Sequence, residues 1–222
     1  SFETALRITR RRGTLMAASG EKRPGGMAAV IGLEADDVGD LCYEINSLED
    51  PQIGLVVPAN LNGPGQVVIS GDVAAVEFAK TEAEAWGAKR TIPLKVSGAF
   101  HSPLMDDMAE EFSKVLDESK MLDPRFPVIS NATVESVSEA NNIRRTLVSQ
   151  LTSPVRWTEV VEEMSRFEPR TWLELGPGNT LSGLVRRIEK GIRPICIGDS
   201  GGVESFLGTL SAGNIIEGAV DE

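Results

Sequence analysis

The sequence predicts an α/β fold, and three observations lead to that prediction. Apolar segments typical of strands alternate with amphipathic helical segments along most of the chain. Between residues 24 and 96 the order is strand, helix, strand, strand, helix, strand, which is the split βαβ order of a ferredoxin-like unit. From residue 97 onward strands alternate with helices, which favours a mainly parallel sheet. We therefore expect a large α/β domain formed by residues 1–23 and 97–222, with residues 24–96 as an inserted small subdomain.

The first element is predicted to be an amphipathic helix that ends before Pro24. Ser1 stands where a helix N-cap would, and Arg7 and Arg11 fall on the side opposite the apolar residues. Arg12 falls in the middle of the apolar arc. The apolar residues of that arc are Ala5, Ile8, Leu15 and Met16.

The elements of the inserted unit are predicted from apolar runs that are bounded by turn residues. Asp72 stands at the N-cap of the second helix, and Gly87 stands where a C-cap would end it. Residues 60–65 are rich in Asn, Gly and Pro and are expected to form the turn between the middle strands. The predicted strands are residues 27–33, 54–58, 66–70 and 90–96, and the predicted helices are residues 35–46 and 73–86.

Beyond the inserted unit, the sequence predicts three strands and five helices. Ser102 is placed to cap a helix whose first residue is Pro103, and proline favours that first position. The predicted strands are residues 126–130, 171–175 and 193–197, and the predicted helices are residues 103–121, 143–151, 157–167, 180–189 and 203–210.

The composition excludes several classes of protein. The 222 residues include 33 Asp and Glu against 22 Lys and Arg, and the net charge of −11 argues against nucleic-acid binding, which depends on cations at the phosphates. No apolar run approaches the roughly 18 residues of a membrane span, and no secretory signal opens the chain. Cys42 and Cys196 form neither a zinc motif nor a disulfide framework. We expect a cytoplasmic protein that binds no metal.

His101 is the single histidine of the chain and the first candidate for a catalytic group. It lies between a predicted strand and a predicted helix, where open α/β sheets keep their ligand sites. The positive end of a helix dipole disfavours the imidazolium, so we expect a neutral ring that can accept a proton. The alternative is a surface or capping histidine without a catalytic role.

Arg12 is the second candidate. A guanidinium on an apolar helix face needs a partner, because an isolated buried charge costs several kcal/mol. A cation held in this way is suited to bind a carboxylate through two parallel hydrogen bonds. The alternatives are an internal ion pair or a side chain that extends to solvent.

Two glycine-rich segments resemble functional motifs. Residues 176–178 lie between a predicted strand and a helix, but Leu181 stands where the dinucleotide-binding fingerprint requires glycine. Residues 198–202 fit the Gly-Xaa-Ser-Xaa-Gly pattern of a nucleophile elbow, with Ser200 as the possible nucleophile. Against this, α/β-hydrolases place the histidine after the serine, and trypsin-like proteases, which place it before, are all-β.

Six segments, taken together and in order, resemble the malonyl-CoA:acyl carrier protein transacylases, which load malonyl units for fatty acid synthesis. They extend over almost the whole chain. The resemblance implies a hydrolase-like α/β domain with a ferredoxin-like insert, in agreement with the predicted element order. The matching segments are residues 12–13, 25–29, 60–66, 99–105, 150–157 and 174–178.

The resemblance also implies a role for each matched residue. His101 corresponds to the general base that pairs with a serine nucleophile, and Gln150 to the glutamine whose backbone carbonyl orients that histidine. Arg12 corresponds to the arginine that holds the free malonyl carboxylate, and Phe100 to the residue associated with malonyl over methylmalonyl preference. The implied substrates are malonyl-CoA and the phosphopantetheine thiol of acyl carrier protein, with no cofactor bound to the enzyme itself.

One departure from the family pattern concerns the nucleophile. The family's Gly-His-Ser-Xaa-Gly elbow and the Gly-Gln-Gly-Ser segment of its oxyanion hole are not found in this sequence. We therefore expect a C-terminal part of a transacylase that is inactive in isolation. The alternatives are an acyltransferase domain of a polyketide synthase, a serine hydrolase that uses Ser200 and His101, and a non-catalytic α/β interaction domain.

Overall fold

The computed structural model describes residues 1–211, and the chain divides into two compact units. The first unit comprises Ser1–Trp157, and the second begins at Thr158. All four site residues implied by the resemblance fall in the first unit. The predicted boundaries of the small subdomain, residues 24–96, stay a prediction. Within residues 1–211, no helix combines the length and the apolar character that crossing a membrane requires.

Each predicted helix and strand has a counterpart in residues 1–211, although several strands are shorter, and one strand at residues 136–137 was not predicted. The first unit contains α1 (Phe2–Lys22), β1 (Gly25–Ile31), α2 (Ala35–Asn46), β2 (Val56–Gly63), β3 (Gln66–Asp72), α3 (Val73–Ala85), β4 (Arg90–Pro93), α4 (Asp106–Asp117), β5 (Val128–Ile129), β6 (Ser136–Val137) and α5 (Ala140–Ser149). From the end of that unit onward follow α6 (Trp157–Ser165), β7 (Leu173–Leu175), α7 (Thr180–Ile188), β8 (Ile195–Ile197) and α8 (Ser200–Ser211).

Helix α1 begins at its predicted cap. The Ser1 hydroxyl accepts a hydrogen bond from the backbone N–H of Thr4 at 3.3 Å. Ile8 and Met16 pack against a buried cluster that joins α1, α4 and the end of α5. Ala5, by contrast, is exposed although it belongs to the predicted apolar arc. The buried members of the cluster are Leu15, Met105, Met108, Phe112, Leu116 and Leu151.

Strands β1 to β4 form one sheet in the order β2-β3-β1-β4, and every neighbouring pair is antiparallel. The predicted strand–helix order of this segment is confirmed. The prediction of a mainly parallel sheet is wrong for the described residues. Helix α2 does connect two strands that run in the same direction, β1 and β2, but β3 lies between them and pairs antiparallel with both. Parallel strand pairing in residues 1–211 is limited to β7 with β8 and an isolated bridge between Asn60 and Val155.

The two faces of this sheet have different partners. One face is covered by α2 and α3, whose buried residues form a single core with those of the strands. The other face contributes a smaller cluster against which Phe100 packs. The buried members of this second cluster are Met27, Ala29, Ala59 and Val68.

The hairpin between β2 and β3 is tighter than predicted. Strand β2 continues to Gly63, through most of the segment that was expected to be a turn, with register shifts between Pro58 and Asn60 and between Leu61 and Gly63. Pro64 and Gly65 alone form the turn, and Gly65 has a φ of 64°. Proline followed by a residue with positive φ is the signature of a type II turn, which is why glycine is needed there.

The helix predicted at residues 103–121 is shorter in the structure. The hydroxyl of Ser102 accepts from the backbone N–H of Leu104 at 3.3 Å, so Ser102 caps a 3-10 turn at Pro103–Met105 that leads into α4. Helix α4 ends at Asp117, and carbonyls on both sides of this end have a partner from α5. Arg144 donates to the carbonyl oxygens of Leu116 and Ser119 at 3.2 and 3.0 Å.

Candidate active site

His101 lies in the loop between β4 and the 3-10 turn, and its backbone is in the left-handed region with a φ of 59°. This region is uncommon for a residue with a Cβ, and such strain costs on the order of 1–3 kcal/mol. Hydrogen bonds of the next residue hold the loop, since the buried Ser102 hydroxyl donates to the carbonyl of Ala99 at 2.6 Å. Strained residues held in this way are typical of functional sites.

Helix α1 approaches this loop at Gly20. A Cβ at that position would clash with the carbonyl oxygen of Ser97, so the contact requires glycine. The same helix carries Arg12 two turns earlier. The close approach therefore sets the position of the His101 loop relative to the helix that bears the arginine.

The His101 ring is oriented by the backbone of Gln150. Its Nδ1 lies 2.8 Å from the Gln150 carbonyl oxygen, which belongs to the C-cap residue of α5. A carbonyl can only accept, so the proton of the neutral ring is on Nδ1 and the lone pair is on Nε2. The contact that the resemblance implies is thus present, and it leaves Nε2 in the form that a general base needs.

The surroundings lower the pKa of His101. Burial of the ring is the largest cause, and the positive charge of Arg12 acts in the same direction. The backbone carbonyls of Gln150 and Ser153 oppose this shift because they stabilise the protonated ring. The net effect favours a neutral imidazole near pH 7.

The Arg12 guanidinium is half-buried and has weak partners. Nη1 lies 3.1 Å from the sulfur of Met16, and Nη2 lies 3.5 Å from the side-chain oxygen of Gln150. Nε is buried without a hydrogen-bond partner, and burial lowers the pKa of the group. No carboxylate within residues 1–157 forms an ion pair with it. The internal ion pair weighed as an alternative is therefore not found in this part of the chain.

Phe100 is half-buried and packs against two clusters, that of α1 and α4 and that of the second face of the sheet. Phe100 therefore lies between the sheet and the helices α1 and α4, and it immediately precedes His101 in the chain. Its role in acyl-group preference stays a prediction.

The segment that carries Gln150 is attached to the edge of the sheet. Val155 donates its N–H to the carbonyl of Ala59 and accepts from the N–H of Leu61, each at 2.8 Å. Strand β2 therefore anchors the loop that orients His101. This link was not predicted from the sequence, since nothing in a short irregular segment indicates which strand it will pair with.

Two further contacts of the site were also missed. Met16 follows Arg12 by four residues on α1, and that spacing alone would have indicated that their side chains meet. The contribution of the Ser153 carbonyl to His101 has no such signal, because a backbone group can face any side chain that the fold brings to it.

Ser200 is the first residue of α8 and has no positive φ, unlike the strained serine of a nucleophile elbow. The Asp199 side chain accepts the N–H of Gly202 at 2.8 Å, so the glycine-rich segment serves as a helix cap. Within residues 1–157 no serine hydroxyl hydrogen-bonds to the His101 ring. The Ser200 hydrolase alternative therefore gains no support.

The other glycine-rich turn is also structural. Glu174 accepts the N–H groups of Leu181 and Ser182 at 3.0 and 2.7 Å, which places a carboxylate at the N-terminus of α7. These bonds to Ser182 and Leu181 lower the pKa of Glu174. An anion site at that helix end is therefore already occupied by the chain itself. No group of His, Cys, Asp and Glu suited to a metal ion occurs within residues 1–211.

Comparison with known proteins points in one direction. A family model described as the acyl transferase domain matches residues 1–210. The chain is 38% identical over 214 residues to the malonyl CoA-acyl carrier protein transacylase of Bacillus subtilis strain 168, covering 96% of this chain and 66% of that protein. The transacylase of Staphylococcus aureus strain MRSA252 is 38% identical over 193 residues, which cover 87% of this chain and 61% of that protein.

Solved structures give the same picture. An acyl carrier protein S-malonyltransferase from Vibrio cholerae superposes with a TM-score of 0.85 at 38% identity, covering 93% of this chain and 66% of that one. A malonyl-transacylase solved in complex with a type II polyketide synthase acyl carrier protein gives 0.86 at 37% identity, covering 94% and 66%. The chain thus spans less than two thirds of the length of these relatives.

Proposed function

The chain belongs to the acyl transferase domain family, and on that basis we propose that it carries the base and the carboxylate-binding cation of a malonyl-CoA:acyl carrier protein transacylase. The observation that carries the proposal is the pairing of two groups at one site. A neutral histidine with a free Nε2 stands beside a half-buried guanidinium that has no carboxylate partner in the described chain.

The proposed reaction is a two-step acyl transfer through a serine ester. His101 Nε2 takes the proton of a serine hydroxyl as the oxygen attacks the malonyl thioester, and the proton then passes to the departing thiolate of coenzyme A. In the second step His101 takes the proton of the phosphopantetheine thiol, and the thiolate attacks the carbonyl of the malonyl-serine ester. The bond to the serine oxygen breaks, and the proton returns from His101 to that oxygen. The Gln150 carbonyl stabilises the imidazolium that forms in both steps, in place of a carboxylate.

Arg12 selects the acyl group in this proposal. A malonyl thioester keeps a free carboxylate that a guanidinium can bind through two charge-assisted hydrogen bonds, whereas an acetyl thioester offers no charge. The buried Nε without a partner supports this assignment, because a carboxylate would satisfy it. Phe100 would bound the same acyl pocket and disfavour a methyl branch.

The nucleophile and the oxyanion hole are proposed to come from outside this sequence, which contains neither family motif. Fatty acid synthesis is the proposed pathway, with acyl carrier protein as partner. A polyketide pathway is the second candidate, since one structural relative is a malonyl-transacylase in complex with a polyketide carrier protein.

Transfer in a chimera tests this proposal. The 222 residues would be joined to the N-terminal third of the B. subtilis relative, and transfer of radiolabelled malonyl from coenzyme A to acyl carrier protein would be measured. We expect transfer, and we expect His101→Ala to reduce it by about 10²–10⁴, the usual contribution of a positioned base. An activity within a few-fold of the parent would remove His101 from the mechanism.

A further inference from the structure

Gln150 contacts both functional groups of the site. Its backbone carbonyl accepts from His101 Nδ1 at 2.8 Å, and its side-chain oxygen lies 3.5 Å from Nη2 of Arg12. The resemblance assigns a role to the carbonyl alone and leaves the side chain without one. A role for the side chain follows from its contact with Arg12 and rests on the proposed function.

The contact between Gln150 and Arg12 is weak by the standards of arginine. It is long, its acceptor is a neutral amide, and it engages one of the five N–H donors of the guanidinium. The other contact of Arg12 is with a thioether, which is a poor acceptor. A carboxylate would replace this pair with shorter, charge-assisted bonds in a two-pronged geometry.

We propose that the Gln150 side-chain oxygen holds the place of the acyl carboxylate on Arg12, as a weak internal ligand that a carboxylate displaces and a neutral acyl group does not. Before the acyl group binds, the Gln150 oxygen then provides the half-buried guanidinium with a hydrogen-bond acceptor. Specificity arises because the exchange is favourable only for an acyl group that brings a negative charge. Gln150 is thus a positioning residue for acyl selection, besides its backbone role.

The exchange has a consequence for the histidine. Arg12 is the ionic side chain that acts on the His101 ring, and the other influences are burial and the carbonyls of Gln150 and Ser153. A carboxylate on Arg12 offsets the positive charge that lowers the pKa of His101. The base therefore becomes stronger when an acid-bearing acyl group is bound.

The single histidine makes this consequence measurable in the 222-residue chain. Proton NMR would follow the His101 ring across pH with malonyl-CoA, with acetyl-CoA and without ligand, and calorimetry would give both affinities. We expect malonyl-CoA to bind about tenfold or more tightly than acetyl-CoA and to raise the pKa of His101, whereas acetyl-CoA leaves it unchanged.

Two variants of similar size separate a placeholder from a structural residue. Gln150→Glu provides a permanent carboxylate, so we expect a raised pKa of His101 without ligand and no preference for malonyl-CoA. Gln150→Met removes the oxygen and keeps the backbone carbonyl, so we expect the preference to persist or to increase. Gln52→Met, at an exposed loop position, is the matched control and should behave as the parent.

Each outcome decides between the possibilities. A loss of preference in Gln150→Met as large as in Gln150→Glu would overturn the placeholder role, since the oxygen would then be a required ligand. A preference retained by Gln150→Glu would overturn it as well. If the parent chain itself does not distinguish malonyl-CoA from acetyl-CoA, both this inference and the carboxylate role of Arg12 are wrong.

Discussion

His101 and Arg12 are polar groups whose hydrogen-bond partners do not fully compensate the loss of solvation on burial. Burial lowers the pKa of both, and neither has a carboxylate partner in the described chain. A structural site would pair such groups, because an uncompensated buried charge reduces stability. A substrate can supply the missing partner of such a group, which is why residues with shifted pKa values concentrate at functional sites.

Arg12→Ala is predicted to change acyl preference. Hydrogen bonds to charged groups contribute roughly 1.5–3 kcal/mol each, so malonyl transfer by the chimera should fall by at least about tenfold to a hundredfold. Acetyl transfer should fall little or rise, because the cation that disfavours a neutral chain is gone. Arg7→Ala, on the exposed side of α1, is the control. An unchanged malonyl to acetyl ratio would leave Arg12 a purely structural role.

His101 is also predicted to make stability depend on pH. Its pKa in the folded chain is lowered from 6.5, so between these two values the unfolded chain binds a proton that the folded chain does not. The contribution to the free energy of unfolding is complete above 6.5 and is lost as pH falls through the folded pKa. Urea unfolding of the parent and of His101→Gln across this range measures it. Equal pH slopes in the two proteins would contradict the lowered pKa.

At the scale of elements, α1 and the loop after β4 are the parts that form the site. Helix α1 presents Arg12 on its packed side and meets the His101 loop at Gly20. The segment from Gln150 to Val155 contacts the His101 ring through the Gln150 carbonyl and is hydrogen-bonded to β2 through Val155. The geometry of the candidate site therefore depends on backbone contacts between elements that are far apart in sequence.

Gly20 and Gly13 provide a matched pair that tests this contact. Both lie in α1, but a Cβ at Gly13 would meet nothing within 4 Å, whereas one at Gly20 would clash with the Ser97 carbonyl. We expect Gly13→Ala to raise the free energy of unfolding by about 0.5–1 kcal/mol, from helix propensity. Gly20→Ala should lower it by about 1–3 kcal/mol, from overpacking. Similar effects of the two substitutions in thermal unfolding would show that α1 does not depend on the close approach.

For the whole molecule, residues 1–157 contain the proposed base and the proposed acyl-selecting cation, and within them no serine hydroxyl hydrogen-bonds to that base. In the family mechanism, acyl transfer needs the serine and an oxyanion hole together with the histidine, and loss of one oxyanion-hole donor alone costs about 10²–10³ in rate. Under the proposed function, we therefore expect that binding of the acyl donor and its turnover can be separated.

The 222-residue chain alone is predicted not to form an acyl-enzyme. Incubation with radiolabelled malonyl-CoA, followed by denaturation and mass spectrometry, should detect no covalent malonyl group. Ser200→Ala is the control, because Ser200 lies in the one segment with an elbow-like pattern. Stable acylation that persists in Ser200→Ala would reveal a nucleophile elsewhere in the chain.

Local patterns were enough to predict most elements. Ser1, Ser102 and the apolar period of α1 and α2 act over a few residues, so their effects can be predicted without the rest of the chain. The early end of α4 was not predictable in this way, because the partner of the Leu116 and Ser119 carbonyls at that end is Arg144, which lies on another helix. The mainly parallel sheet expected from residue 97 onward was wrong for a similar reason: alternation of strands and helices does not reveal which strands pair, and β5 pairs antiparallel with β6 whereas only β7 and β8 are parallel among the described strands there.

By itself, the sequence determined that this protein is an α/β chain with one histidine and an arginine on an apolar helix face, because composition and short-range periodicity are properties of the chain alone. The family motifs added the candidate roles. Only the tertiary structure decided that Gln150 contacts both His101 and Arg12 and that Ser200 begins a helix. It also decided that β2 anchors the segment that follows Gln150. Such contacts join backbone and side-chain groups up to 138 residues apart, and hydrogen bonding at that separation depends on how the elements pack.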